Sequence, residues 1–148
     1  LIRHIGFSAH SAEAALAMME QFDFDSILFP FNCVCWYCGN FGKRVIEKAE
    51  AKGVARLALK ALARRPWHQG EERIWPKCWY KPVDTPEDAE RGLRFTLSLP
   101  VTAAVCPGHQ ELLWLACDAA ERFAPMNEQE AAQLAQDLGA EPIFPQQS

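Results

Sequence analysis

Residues 91–123 read RGLRFTLSLPVTAAVCPGHQELLWLACDAAERF, and this stretch decides the fold. Val101, Thr102, Ala103, Ala104 and Val105 form an apolar run too short for a helix, preceded by Pro100 and closed by Pro107 and Gly108. A run without polar alternation is expected to be buried on both faces, as parallel strands inside an α/β layer are. From Gln110 onward, Leu112, Leu113, Ala116, Ala119, Ala120 and Phe123 recur at helical steps and predict a helix with one buried stripe. The loop at 106–110 then lies at the carboxyl end of a parallel strand, where α/β folds bind ligands.

Working outward, Thr85, Pro86, Glu87 and Asp88 are a cap, a proline and two acids, and predict the start of the helix that leads to Pro100. Residues 60–84 are expected to form a long loop carrying Trp67, Trp75, Trp79 and Tyr80. Upstream, 54–59 predicts a third strand. Residues 43–52 predict a helix burying Val45, Ile46 and Ala49, with Gly53 at its carboxyl cap. Residues 26–31 predict a second strand with Asn32 just past its end, and 33–42 a loop. Residues 5–7 open the series as a first strand, followed by a helix capped by Ser11. Downstream, Asn127 and Glu130 have the spacing of a capping box and predict a last helix ending before Gly139.

The expected class is therefore α/β, with strand and helix alternating four times before an extra carboxyl-terminal helix. Right-handed crossovers make this a curved parallel sheet with helices outside. It is either a small doubly wound sheet or about four βα units of a (β/α)8 TIM barrel. The division expected is 1–125 for the units and 126–148 for the last helix and tail.

The bulk properties narrow the classes. With 148 residues, 49% hydrophobic and 23% charged, the chain can bury a core and is not of disordered composition. A net charge of −4 without a basic cluster argues against a nucleic-acid partner. The apolar runs are too short for a membrane span, and no signal peptide is visible. Six unevenly spaced cysteines read as reduced thiols of a cytoplasmic protein. The chain starts on Leu1, almost directly before a strand, and is expected to be a fragment.

Four motifs in register, IRHIGFSAHS, FDFDSILFPFN, GVARLALKAL and PVTAAVCPGH, resemble the carboxyl-terminal half of an aldo/keto reductase. The resemblance implies strands five to eight of a β/α barrel that reduces aldehydes or ketones with NADP or NAD. The family's catalytic Asp, Tyr, Lys and His belong to the amino-terminal half, so no catalytic residue is assigned in this chain. By the resemblance, Ser8 helps hold the nicotinamide carboxamide. Lys60, Ala61 and Leu62 form a cofactor-binding turn, and Gly108 and His109 open the loop that grips the adenosine phosphate end. The chain departs from the family at Ala9, usually Asn, at Leu28, often Gln, and at Leu59, often an aromatic residue. The basic residue for a 2′-phosphate has no counterpart between Gly108 and Cys117. These departures mark either a divergent branch or weakened cofactor binding.

Trp36, Trp67, Trp75 and Trp79 fall in two loops at one end of the expected barrel and are candidates for an aromatic substrate pocket for a small carbonyl compound. Cys33, Cys35 and Cys38, with Cys78 and Cys106 at the same end, lack paired C-x-x-C spacing and read as neutral thiols rather than a metal site. Four strands leave two open sheet edges, which predict pairing with a missing amino-terminal half or with a second copy. The competing functional reading is a non-catalytic interaction module of reductase-like shape.

Overall fold

The structure, a computed structural model, describes residues 1–144. Four strands, β1 (Gly6–Ser8), β2 (Ser26–Phe29), β3 (Ala55–Ala58) and, later in the chain, β6 (Ala103–Ala104), pair in parallel in the order β1-β2-β3-β6. Between and after them lie α1 (Ala12–Gln21), α2 (Cys33–Cys38), α3 (Lys43–Ala51), α4 (Pro86–Ser98), α5 (Gln110–Glu121) and α6 (Glu128–Asp137). A separate antiparallel hairpin, β4 (Ala63–Pro66) and β5 (Tyr80–Pro82), stands between β3 and α4.

Local chemistry sets the helix starts. Ser11 Oγ accepts from Ala14 N, Thr85 Oγ1 accepts from Asp88 N, and Asn127 with Glu130 closes a reciprocal capping box. Gly53 takes a φ of 69° after α3, a left-handed conformation that glycine adopts without cost. Gly6 answers a close approach: a Cβ there would sit 2.1 Å from Ser26 Oγ on β2.

The two faces of the sheet differ. On one, Ile27, Phe29 and Ala58 are fully buried and join Ala15 and Met19 of α1 with Val45, Ile46 and Ala49 of α3 in one core. A second core forms where α4, α5 and α6 meet, around Leu93, Phe95, Leu112, Ala116, Leu134 and Leu138. On the other face, the register aligns Ser8, Leu28, Leu57 and Ala103 in one row across all four strands. None of these four residues belongs to either core, and Ser8 and Ala103 are exposed. Among the described residues no helix is long and apolar enough to cross a membrane.

Four expectations change. The run 101–105 is not a strand buried on both faces: only Ala103–Ala104 is extended, and Ala103 and Val105 are exposed. The run sits at the sheet edge with a neighbour on one side, held by Thr102 N to Arg56 O at 2.7 Å and Val105 N to Ala58 O at 2.8 Å. The stripe of α5 is narrower than expected, because Leu113, Ala120 and Phe123 are exposed and only the side facing α4 is covered. Residues 33–38 form a helix, started by the Asn32 side chain accepting from Cys35 N at 2.9 Å. The expected loop at 60–84 contains the β4–β5 hairpin. There Glu71 binds both Arg65 and Lys81, and Lys81 lies over the Trp67 ring.

Candidate functional site

The carboxyl ends of the parallel strands gather most of the residues singled out above. Ser8 ends β1 with its side chain on the uncovered face. Ala9 N donates to Leu28 O at 3.2 Å, which carries the pairing one step further and leads the chain to His10. Asn32 joins the next two strand ends: its Nδ2 donates to Leu59 O at 3.2 Å while its Oδ1 caps α2. The side chain is 1% exposed and both its amide groups are used, so its role is to fix this edge.

Lys60, two residues beyond the end of β3, has a φ of 60°, unusual for a residue with a side chain. Its Nζ lies 3.2 Å from His10 Nε2, 5.7 Å from the centre of the Trp79 ring and 5.6 Å from that of Phe144. No carboxylate pairs with it among the described residues. Partial burial lowers the Lys60 pKa below the usual lysine value. Burial, then the nearby Lys60 charge, lower that of His10, so the imidazole is held neutral over a wider pH range. The result is an electropositive spot walled by rings: Phe144 stacks on Phe41 at 5.4 Å and meets Trp79 edge-on at 5.5 Å.

Ala61 and Leu62 are buried, and their side chains face the second core. The backbone of this turn is engaged internally, with Ala63 N donating to Lys60 O at 2.9 Å and Val83 N to Leu62 O at 2.8 Å. The 106–110 loop is docked onto the hairpin. His109 Nε2 accepts from Lys77 N at 3.1 Å, and Trp75 meets the His109 ring edge-on at 5.2 Å. Gly108 is exposed, and a Cβ there would meet only the Lys77 side chain, at 3.7 Å or more. α5 starts at Gln110 without a side-chain cap.

The four tryptophans do not share one pocket. Trp79 belongs to the Lys60 cluster and Trp75 to the His109 contact, with its Nε1 donating to Asp84 at 2.9 Å. Trp67 Nε1 donates to Cys78 O at 2.8 Å within the hairpin. Trp36 lies apart, among α2, α3, α4 and α6, edge-on to Phe95 at 6.2 Å. Burial pushes the Cys33 and Cys35 thiols up to about 12, which makes them inert as nucleophiles. Among the described residues no three His, Cys, Asp or Glu side chains gather where they could hold a metal.

His10 and Phe144 were not singled out by the sequence. His10 had a signal, its place two residues past a strand-end serine. Phe144 had none, because it reaches the site only through the packing of the tail against Phe41.

No protein-family model matches the chain, and no curated protein matches it. Solved structures do. The chain superposes on the apo form of the aldo-keto reductase AKR11C1 from Bacillus halodurans with a TM-score of 0.61 and 16% identity. On the holo form of the same protein the TM-score is 0.59 and the identity 18%. The fold is that of part of an aldo-keto reductase. Each match covers 95% of this chain and 51–52% of the reductase, so the chain spans about half the length of the structures it matches. The aldo-keto reductase fold accounts for the parallel order of the sheet and for helices on one face only, since a TIM barrel keeps its helices outside.

Proposed function

We propose that this chain is the cofactor-side half of an aldo/keto-reductase-type barrel, supplying strands five to eight to an NAD(P)H-dependent carbonyl reductase. The observation that carries this reading is the carboxyl edge of the sheet. There an exposed serine, a cation that pairs with no carboxylate among the described residues and a glycine loop leading into an uncapped helix lie along one rim. Those residue types fit a nicotinamide dinucleotide. The Lys60 ammonium and the free N–H groups at the start of α5 suit its phosphates, and the Ser8 hydroxyl suits its carboxamide. When bound, the cofactor supplies a hydride to a carbonyl carbon. Trp79 and Phe144 flank the Lys60 ammonium with their rings, and Asn32 keeps the ends of β2 and β3 in step. The proton donor is assigned to the other half of the barrel, since no group of this chain matches the family's tetrad. The substrate in this reading is a small aldehyde or ketone.

NADPH and NADH titrations of the chain, followed by nucleotide fluorescence, test the reading. It expects saturable binding of at least one, weakened roughly tenfold in Lys60→Gln and less in Ser8→Ala. Absence of binding at millimolar nucleotide contradicts it and leaves the interaction module. One observation favours that second reading: Trp79 and Phe144 already close over the Lys60 ammonium.

A further inference from the structure

A cavity of about 450 Å³ opens on the helical side of the sheet, and no strand residue lines it. It is separate from the strand ends and from every residue placed at the cofactor edge. Its volume lies at the small end of the range for ligand sites. Three aromatic rings form the walls: Trp36 and Tyr37 of α2, and Phe95 of α4, with Tyr37 and Phe95 ring centres 5.7 Å apart. Two opposite charges face the opening. Lys43, the first residue of α3, holds its Nζ 5.7 Å from the centre of the Trp36 ring. Gly42 before it supplies no side-chain cap, so the free N–H groups of that helix start add positive character. Glu128, the first residue of α6, stands close enough to Tyr37 that its charge helps raise the phenol pKa, after burial and the Cys33 thiol.

Neither charge is neutralised by a partner among the described residues. Lys43 and Glu128 take part in no ion pair among the described residues, so their charged atoms lie more than 4.0 Å apart although both line the same opening. Opposite charges that line one aromatic-walled cavity without pairing match a ligand that carries both charges and an apolar group.

We propose that this cavity is a binding site for a small zwitterion with an apolar side group, an amino acid such as phenylalanine or leucine. The ligand carboxylate meets Lys43, its ammonium meets Glu128 and the Tyr37 hydroxyl, and its side group lies against Trp36 and Phe95. The site is independent of the reductase reading, since none of its residues lies on the strand ends.

Calorimetric titration of the chain with L-phenylalanine, phenethylamine and 3-phenylpropionate tests it. Phenylalanine is expected to bind one to one and more tightly than either single-charge analogue. Lys43→Gln should weaken phenylalanine and 3-phenylpropionate roughly fivefold and leave phenethylamine unchanged. Glu128→Gln should weaken phenylalanine and phenethylamine by a similar factor and leave 3-phenylpropionate unchanged. Both side chains are exposed, so neither substitution threatens folding. No heat from phenylalanine at millimolar concentration overturns the proposal. So does a variant that weakens all three compounds alike, or none of them.

Discussion

The covered and uncovered faces of the same four-stranded sheet are built from alternate residues of the same strands, and they behave as different materials. Ile27 and Phe29 point one way and are sealed under α1 and α3; Leu28, between them, points the other way and joins no core. The contrast teaches where the fold draws its stability and where it leaves surface for function. Apolar area counts toward stability only where a second layer removes it from water.

The sharpest way to break the comparison is a matched pair of truncations. Phe29→Ala is expected to cost about 3–5 kcal/mol in urea unfolding, through lost burial and the cavity left behind. Leu57→Ser, on the uncovered row, should cost about 1 kcal/mol or less. Equal costs would mean that both faces are packed.

The next effect reports the burial of the cores through pH. The ordinary thiol value is 9.0, and burial raises Cys33 and Cys35 to about 12. A group whose folded pKa is raised stabilises the fold fully below its unfolded value and loses that contribution as pH rises through the folded one. Stability should therefore fall between pH 9 and 12, and Cys33→Ala with Cys35→Ala should flatten the slope. Urea midpoints across that pH range give the answer.

Smaller effects sharpen the picture at helix starts. Asn32→Ala removes the cap of α2 and the bond to Leu59 O at a buried position, and should cost about 2 kcal/mol. Asn127→Ala breaks an exposed capping box and should cost about 0.5–1 kcal/mol. Chemical denaturation of both variants checks the order; the reverse ranking would show that the edge is not fixed by Asn32.

Much of the fold was legible because its signals are local. Ser11, Thr85 and Asn127 announce helix starts by chemistry that acts within three residues, and Gly53 marks a stop by a backbone preference of its own. The edge position of β6 was not legible: residues 101–105 look like a buried strand, and only the strand order shows that one side has no neighbour. α2 was missed although Asn32 caps it by the same three-residue chemistry, because its six residues, Cys33–Cys38, are too few to show a helical period. The hairpin was hidden because it is held by Glu71 between Arg65 and Lys81 rather than by an alternating apolar pattern. Of the candidate site, Ser8, Lys60 and Gly108 could be named only through the family resemblance of the motifs around them, since no local pattern of caps or periodicity marks them. Phe144 could not, because a ring contact across the length of the chain leaves no trace in spacing.

Hydroxyl-radical footprinting of the chain, alone, with NADPH and with NADH, separates the two sheet faces and the rim most directly. Expected are strong modification of Val105, intermediate modification of the half-buried Leu28 and Leu57, little of Ile27 and Phe29, and nucleotide-dependent protection confined to the rim near Ser8, Lys60, Trp79 and His109. Equal modification of both sheet faces, or a rim that neither NADPH nor NADH protects, is the contradicting result.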